Sequence, residues 1–135
     1  MEYNDDRKPA VTGIGGVFFK SKDPDDTKQW YHEHLGLEVD NYGSLFKFHP
    51  FGQPKKIAQL QWSPFPHTTD YLGEADQEFM INYRVRNIEA LVDQLRTQGI
   101  PILDDIATYD YGKFVYIRDG DGRRVELWEP VDENL

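Results

Sequence analysis

The sequence predicts an α+β fold made of two copies of one module, each a strand, a helix and three further strands. Three observations predict it. Between residues 79 and 102 the apolar period changes from two to 3.6 and back again. The same order of strand, cap, helix and glycine stop occurs 64 residues earlier, where Val17 lies over Ile81 and Asp23 over Asn87. Both copies then continue into short apolar runs separated by turn residues.

Residues 1–10 read as a loose polar arm ahead of module one (about 11–64). Gly13, Gly15 and Gly16 lack the spacing of a nucleotide loop and precede a strand, expected over 17–20. Asp23 is placed to cap a helix, Pro24 to open it, and Asp25 and Asp26 suit the positive end of its dipole. The helix is expected to turn Trp30, Tyr31 and Leu35 inward and to stop at Gly36. Strands are expected from 37, over 44–49 and over 57–62, with a turn over 50–54. Residues 65–77, rich in Pro, Thr, Gly and acids, read as the linker.

Module two (about 78–131) opens on a strand over 79–85. Phe79, Ile81, Tyr83 and Val85 form one face, and Met80, Asn82 and Arg84 the other. Ile88, Leu91, Val92 and Leu95 then form the apolar stripe of a helix. Asn87 is placed to cap it, Gly99 to end it, and Pro101 bars its continuation. Strands over 102–108, 113–118 and 124–129 complete the module, the last two joined by the Asp119–Gly122 turn. The helix covers the odd face of the first strand. The even face is left for function.

Composition narrows the partners. The chain has 135 residues, 39% hydrophobic and 29% charged, which suits one folded unit that stays in solution. No apolar run approaches the ~20 residues that span a bilayer, and the N-terminus has no signal-peptide pattern. No membrane partner is expected. The absence of cysteine removes disulfide and thiolate chemistry and agrees with a cytoplasmic location. The net charge of −9 argues against a nucleic-acid partner, which would need clustered Lys and Arg.

Four stretches carry a resemblance to a known family: GVFFKSKDP (16–24), WYHEHLGL (30–37), FMINYRV (79–85) and DGDGRRVELWEP (119–130). With the repeat they span about 12–131, and the chain resembles the vicinal oxygen chelate superfamily, which includes glyoxalase I, bleomycin-resistance proteins, extradiol dioxygenases and fosfomycin-resistance enzymes. The resemblance implies that the two βαβββ modules form an open, barrel-like mixed sheet with the helices outside. Metal-using relatives hold a divalent ion in the cleft through His or Glu on the first and last strands of each module. Here those positions fall on Gly16, on Met80, on Gln59 or Leu60, and on Glu126. Glu126 alone matches, so no cofactor is expected, with a divalent metal as the secondary reading.

Strand parity sends Met80, Asn82 and Arg84 to the cleft, with Phe18 and Lys20 from module one. Arg124, Glu126 and Trp128 follow on the last strand, and Tyr116 joins them with Phe114 above it. Phe18, Lys20, Asn82, Arg84, Tyr116 and Trp128 are therefore the candidate ligand-binding residues, and Glu126 is the candidate catalytic residue. Aromatic walls with a few convergent polar groups are the usual make-up of a small-molecule site. Glu126 is read as an acid/base or as the partner of Arg84 or Lys20 in an ion pair. Tyr109, Tyr111 and Gly112 are read as a lip over the pocket or a solvent-exposed turn. His32 and His34, two apart on a helix, face different sides. The function expected is small-molecule binding in a metal-free cleft, with a homodimer as the assembled form. The alternative is a glyoxalase-like lyase or isomerase, or a dioxygenase, using Glu126 as metal ligand or acid/base.

Overall fold

The structure, a computed structural model, describes residues 8–135, so the arm expected over 1–10 lies mostly outside the described residues. The elements in chain order are β1 (Ala10–Ser21), α1 (Pro24–Leu35), β2 (Ser44–Phe48), β3 (Ala58–Pro66), β4 (Phe79–Arg86), α2 (Ile88–Thr97), β5 (Ala107–Tyr109), β6 (Gly112–Arg118) and β7 (Arg124–Pro130). A short 3-10 helix, Asp132–Asn134, follows. The strands make one mixed sheet in the order β2-β3-β1-β4-β7-β6-β5, open at β2 and β5. The topology repeats about its centre. β1 and β4 pair antiparallel, and each has a parallel partner on its outer side, β3 and β7. Among the described residues no helix is long and apolar enough to cross a membrane.

The period-two pattern of 79–85 sorts the two faces of β4 as expected. Val85 joins Ile88, Val92, Val115, Val125 and Leu127 in a buried core under α2, with Tyr83 and Leu91 packed against it. Each buried aliphatic side chain contributes about 1.5–3 kcal/mol. On the opposite face Met80 meets Phe18 and Leu72 in a second, smaller core. Helix α2 starts differently from expectation. Asn87 sits at a left-handed φ of 56° and its side chain does not cap the helix. Instead the Ile88 N–H donates to Glu129 Oε1 at 2.8 Å, so a carboxylate on β7 satisfies the helix terminus.

Module one departs from the predicted pattern in three places. The strand expected from 37 does not form. Asp40 Oδ1 accepts from the N–H groups of Tyr42 and Gly43, and Ser44 Oγ donates to the Glu38 carbonyl, so side chains turn the backbone there before it can pair. Helix α1 buries no residue, and Trp30 and Leu35 are 53% and 65% exposed. Trp30 and Leu35, five residues apart, lie on different faces of the helix, and Tyr31 is the one that stacks inward, 4.8 Å from Trp62. The three glycines Gly13, Gly15 and Gly16 lie inside β1, where the β1–β4 register shifts twice, rather than ahead of it. In module two the strand expected over 102–108 shrinks to one bridge, Ile102 to Ile117, and the short β5.

Candidate functional site

The cleft face of the sheet carries a cavity of about 520 Å³. Its polar floor is set by the parallel register of β4 and β7, which places Asn82 beside Glu126 on the same face. Asn82 Nδ2 donates to Glu126 Oε1 at 2.6 Å. Tyr71 Oη donates to Glu126 Oε2 at 2.9 Å, and Tyr116 Oη donates to Tyr71 Oη at 3.2 Å. Glu126 is 3% exposed and Asn82 2%. A buried carboxylate thus rests on two neutral donors, with Tyr116 behind Tyr71, rather than on a counter-ion.

Tyr71 arrives from the segment read as a linker, and three contacts hold that segment against the sheet. Leu72 is fully buried against Phe18 and Met80. Gln77 Oε1 accepts from the Arg124 N–H at 2.8 Å, while its Nε2 donates to the Arg124 and Phe79 carbonyls at 2.9 Å. Gln77 therefore uses its amide as a strand would use its backbone. The signal in the sequence is the Tyr71-Leu72 pair, an aromatic and an aliphatic residue in an otherwise polar stretch.

Aromatic rings form the walls. Tyr71 stacks on Phe65 at 5.1 Å and 12°. Opposite in kind are Phe114 and Trp128, stacked at 5.6 Å and 6°, with Tyr109 and Tyr111 stacked beside Phe114. Trp128 Nε1 donates to the Tyr111 carbonyl at 3.1 Å, which ties the β5–β6 hairpin to β7. Tyr109 and Tyr111 thus line the cavity, and so do Gln59 and Gln61, whereas Leu60 does not.

The hydroxyls of this network titrate out of their ordinary range. Burial pushes Tyr71 well above the usual phenol value, and the Glu126 charge and the Tyr116 hydrogen bond push it further. Tyr116 is raised for the same first two reasons, burial and then Glu126. Both phenols hold their protons throughout the neutral range.

Of the candidate residues, the structure brings Phe18, Asn82, Tyr116, Glu126 and Trp128 together in the cavity wall. It places Lys20 and Arg84 elsewhere. Lys20 Nζ donates to the Ala75 carbonyl at 2.7 Å, because its long side chain reaches the end of the linker. Arg84 points to the same side of the sheet but is buried against Asp132, with 2.5 Å between Nη2 and Oδ2, and donates to the Gln59 carbonyl at 3.1 Å. Neither pairs with Glu126. Gln61 and Tyr71 are cavity residues that the pattern of the sequence did not single out, and Gln59, one of the two positions read for the last strand of module one, lines the cavity with Gly15.

Of the four positions that relatives use for metal, Glu126 alone carries an ionisable donor, and both its oxygens accept hydrogen bonds. Among the described residues no three His, Cys, Asp or Glu side chains converge. His49 Nδ1 is within 2.7 Å of the Lys56 carbonyl and does not line this cavity.

A repeated strand-helix topology, with a central antiparallel pair and a cavity on one face of the sheet, defines the class of duplicated α+β cleft proteins. The chain belongs to the glyoxalase/bleomycin resistance protein/dioxygenase superfamily, whose family model matches residues 13–127. Solved structures share the fold. Methylmalonyl-CoA epimerase from Mycobacterium tuberculosis is 22% identical, covers 92% of this chain and 91% of its own, and superposes with a TM-score of 0.60. A single-substitution variant of methylmalonyl-CoA epimerase from Streptomyces coelicolor, in complex with 2-nitronate-propionyl-CoA, is 15% identical over 90% of this chain and 99% of its own, with a TM-score of 0.67. A superfamily member from Vibrio splendidus 12B01 is 12% identical over 90% and 99%, with a TM-score of 0.52. No curated protein matches the chain.

Proposed function

We propose that the chain is a small-molecule-binding protein whose cleft works without a bound metal. One observation carries this reading: the Glu126 carboxylate is held by two neutral donors, Asn82 and Tyr71, at the floor of an aromatic-walled cavity. A cavity of about 520 Å³ falls within the range of small-molecule sites. The donor set does not fit the family's divalent ion, which needs several imidazole or carboxylate ligands with free lone pairs. The test is metal content of protein purified without chelator or affinity tag, followed by thermal-shift screens with nickel, zinc, manganese and iron(II), then with organic ligands. The expected result is sub-stoichiometric metal, no shift with any ion, and stabilisation by some organic compounds. A stoichiometric metal, or a shift with one ion, overturns the metal-free reading.

The hydroxyl chain from Tyr116 through Tyr71 to Glu126 favours a second reading, a lyase or isomerase in which Glu126 moves a substrate proton. Under that reading Glu126→Gln binds ligand and loses turnover. Under the first reading no turnover exists to lose. The assembled form proposed is a homodimer in the cytoplasm. The exposed Trp30, Leu35, Phe46 and Ile57 of module one support the dimer, as do the edges of β2 and β5, which no strand of the described residues covers. Sedimentation at micromolar concentration tests it.

A further inference from the structure

A second cavity, of about 1020 Å³, lies further along β4, around Arg84 to Asn87. The two cavities adjoin at Arg84. Its guanidinium lies between the Trp128 ring, in the wall of the first, and the Phe48 ring, in the wall of the second, 5.2 and 5.8 Å from their centroids.

The charge of the second cavity is opposite to that of the chain. The chain carries −9, yet Lys8, Lys56, Arg84 and Arg86 line this space, against Glu89 and Glu129. Both carboxylates are already engaged. Lys113 pairs with Glu89, and the Ile88 N–H donates to Glu129 Oε1. A cleft lined mainly by one sign of charge focuses the field on an ion of the other sign.

The cations themselves are under-partnered. Arg84 is 4% exposed, and the one carboxylate oxygen that it meets, Asp132 Oδ2, is shared with Lys56. A guanidinium binds an oxyanion best through two parallel N–H bonds, and Arg84 makes one, its Nη1 going instead to the Gln59 carbonyl. Arg86 follows Arg84 on the same face of β4, about 7 Å along the strand. Its Nε donates to the Lys8 carbonyl at 2.6 Å, which brings Lys8 beside it. Among the described residues neither Arg86 nor Lys8 forms an ion pair.

We propose that the second cavity binds a small polyanion, a molecule with two phosphate or carboxylate groups. One group meets Arg84 and Lys56, where it competes with Asp132. The other meets Arg86 and Lys8. The spacing of the two arginines along β4 is what selects two linked charges over one. This site is separate from the aromatic-walled cavity, so its failure leaves the reading of that cavity untouched.

The test is calorimetric titration of the whole chain at neutral pH, with the ionic strength held constant by sodium chloride because salt screens such contacts. The probes are pyrophosphate, inorganic phosphate, succinate and tetramethylammonium. Pyrophosphate is expected to bind at least about tenfold tighter than phosphate, with tetramethylammonium silent. Succinate equal to pyrophosphate assigns carboxylate groups to the ligand, and succinate much weaker assigns phosphates; either supports the site. Arg86→Gln and Lys56→Gln are each expected to weaken pyrophosphate about three- to tenfold. Lys22→Gln, which removes an exposed cation outside the cavity, is expected to change nothing. Asp132→Asn keeps the shape of the side chain, removes the competing charge and is expected to tighten pyrophosphate about tenfold. The wild-type series needs no variant to fold. Silence of both pyrophosphate and succinate overturns the proposal, and so does an equal loss in Lys22→Gln, which would mean attraction to charge at large. Weaker binding in Asp132→Asn overturns the placement of the anion at Arg84.

Discussion

Asn82 and Glu126 are register partners on the parallel strands β4 and β7, and Asn82 Nδ2 donates to Glu126 Oε1 at 2.6 Å. The bond follows from the pleat. In a parallel pair, register partners project to the same face, so the backbone ladder delivers both polar groups to one point. Tyr71 then closes on the other oxygen from 55 residues away. A short-range device and a long-range one meet at a single carboxylate.

Removing that carboxylate should therefore cost stability whatever the function. Glu126→Ala leaves Asn82 Nδ2 and Tyr71 Oη as buried donors without an acceptor, and the expected loss is about 2–4 kcal/mol in urea unfolding. Glu126→Gln keeps the shape and one acceptor, so its loss should be smaller. An alanine variant as stable as wild type would mean that the network is open to water.

Stability should also fall at high pH because of Tyr71. Its folded-state value is raised above the ordinary phenol value, by burial first and by the Glu126 charge second. The unfolded chain therefore gives up this proton near pH 10 while the folded chain still holds it. Above that point the folded state binds more protons than the unfolded one, so the slope of stability with pH is negative. The contribution is complete below about pH 10 and is lost as pH climbs. Thermal melts from about pH 8 to about pH 11 should show this limb, and Tyr71→Phe should flatten it. Parallel limbs in wild type and variant would count against the buried hydroxyl.

Arg84 and Asp132 are almost wholly buried, and Lys56 adds a second contact at 3.3 Å to the same carboxylate oxygen. Asp132→Ala strands the guanidinium between Phe48 and Trp128, whose ring centroids lie 5.8 and 5.2 Å from it. The expected loss is about 3–5 kcal/mol, because a buried charge without its partner is worse than no charge at all. Arg84→Met combined with Asp132→Leu should recover much of it. A double-mutant cycle measures the coupling, and additive losses would show that the pair does not interact.

The parts of the fold that were legible in the sequence share a cause. Residues 79–95 lie where two unlike surfaces meet, so the alternation of β4 and the stripe of α2 were both written as contrast between apolar and polar positions. Glu126, Asn82, Phe18, Tyr116 and Trp128 followed from that parity and do line one cavity. Parity could not place Lys20 or Arg84, because long flexible side chains go where a partner lies. Those partners, the Ala75 carbonyl and Asp132, are 55 and 48 residues away. Helix α1 was misread because, of its three apolar residues, Tyr31 alone finds a surface to cover, the Trp62 ring, while Trp30 and Leu35 stay exposed, so their character predicted a burial that does not occur. Tyr71 was passed over because the prolines, Thr and acids around it outweighed one aromatic in a reading by composition.

Two glycines separate two physical reasons for having no side chain. Gly36 ends α1 at φ 69°, and a Cβ there would meet nothing within 4 Å. Gly36→Ala should cost about 1 kcal/mol, all of it from the left-handed backbone. Gly15 does not have a left-handed φ, but its Cβ would collide with Asn82 Oδ1 and stand 3.0 Å from Arg84 Cγ. Gly15→Ala should cost about 1–3 kcal/mol, all of it from crowding. It should also disturb the environment of Trp128, visible in near-ultraviolet circular dichroism, which Gly36→Ala should leave unchanged. Asn in place of Gly36 should be milder than Ala, since Asn tolerates that backbone, whereas Asn in place of Gly15 should be worse than Ala. If the order of the two sites were reversed for either substitution, the tight packing of β1 against Asn82 and Trp128 would be refuted.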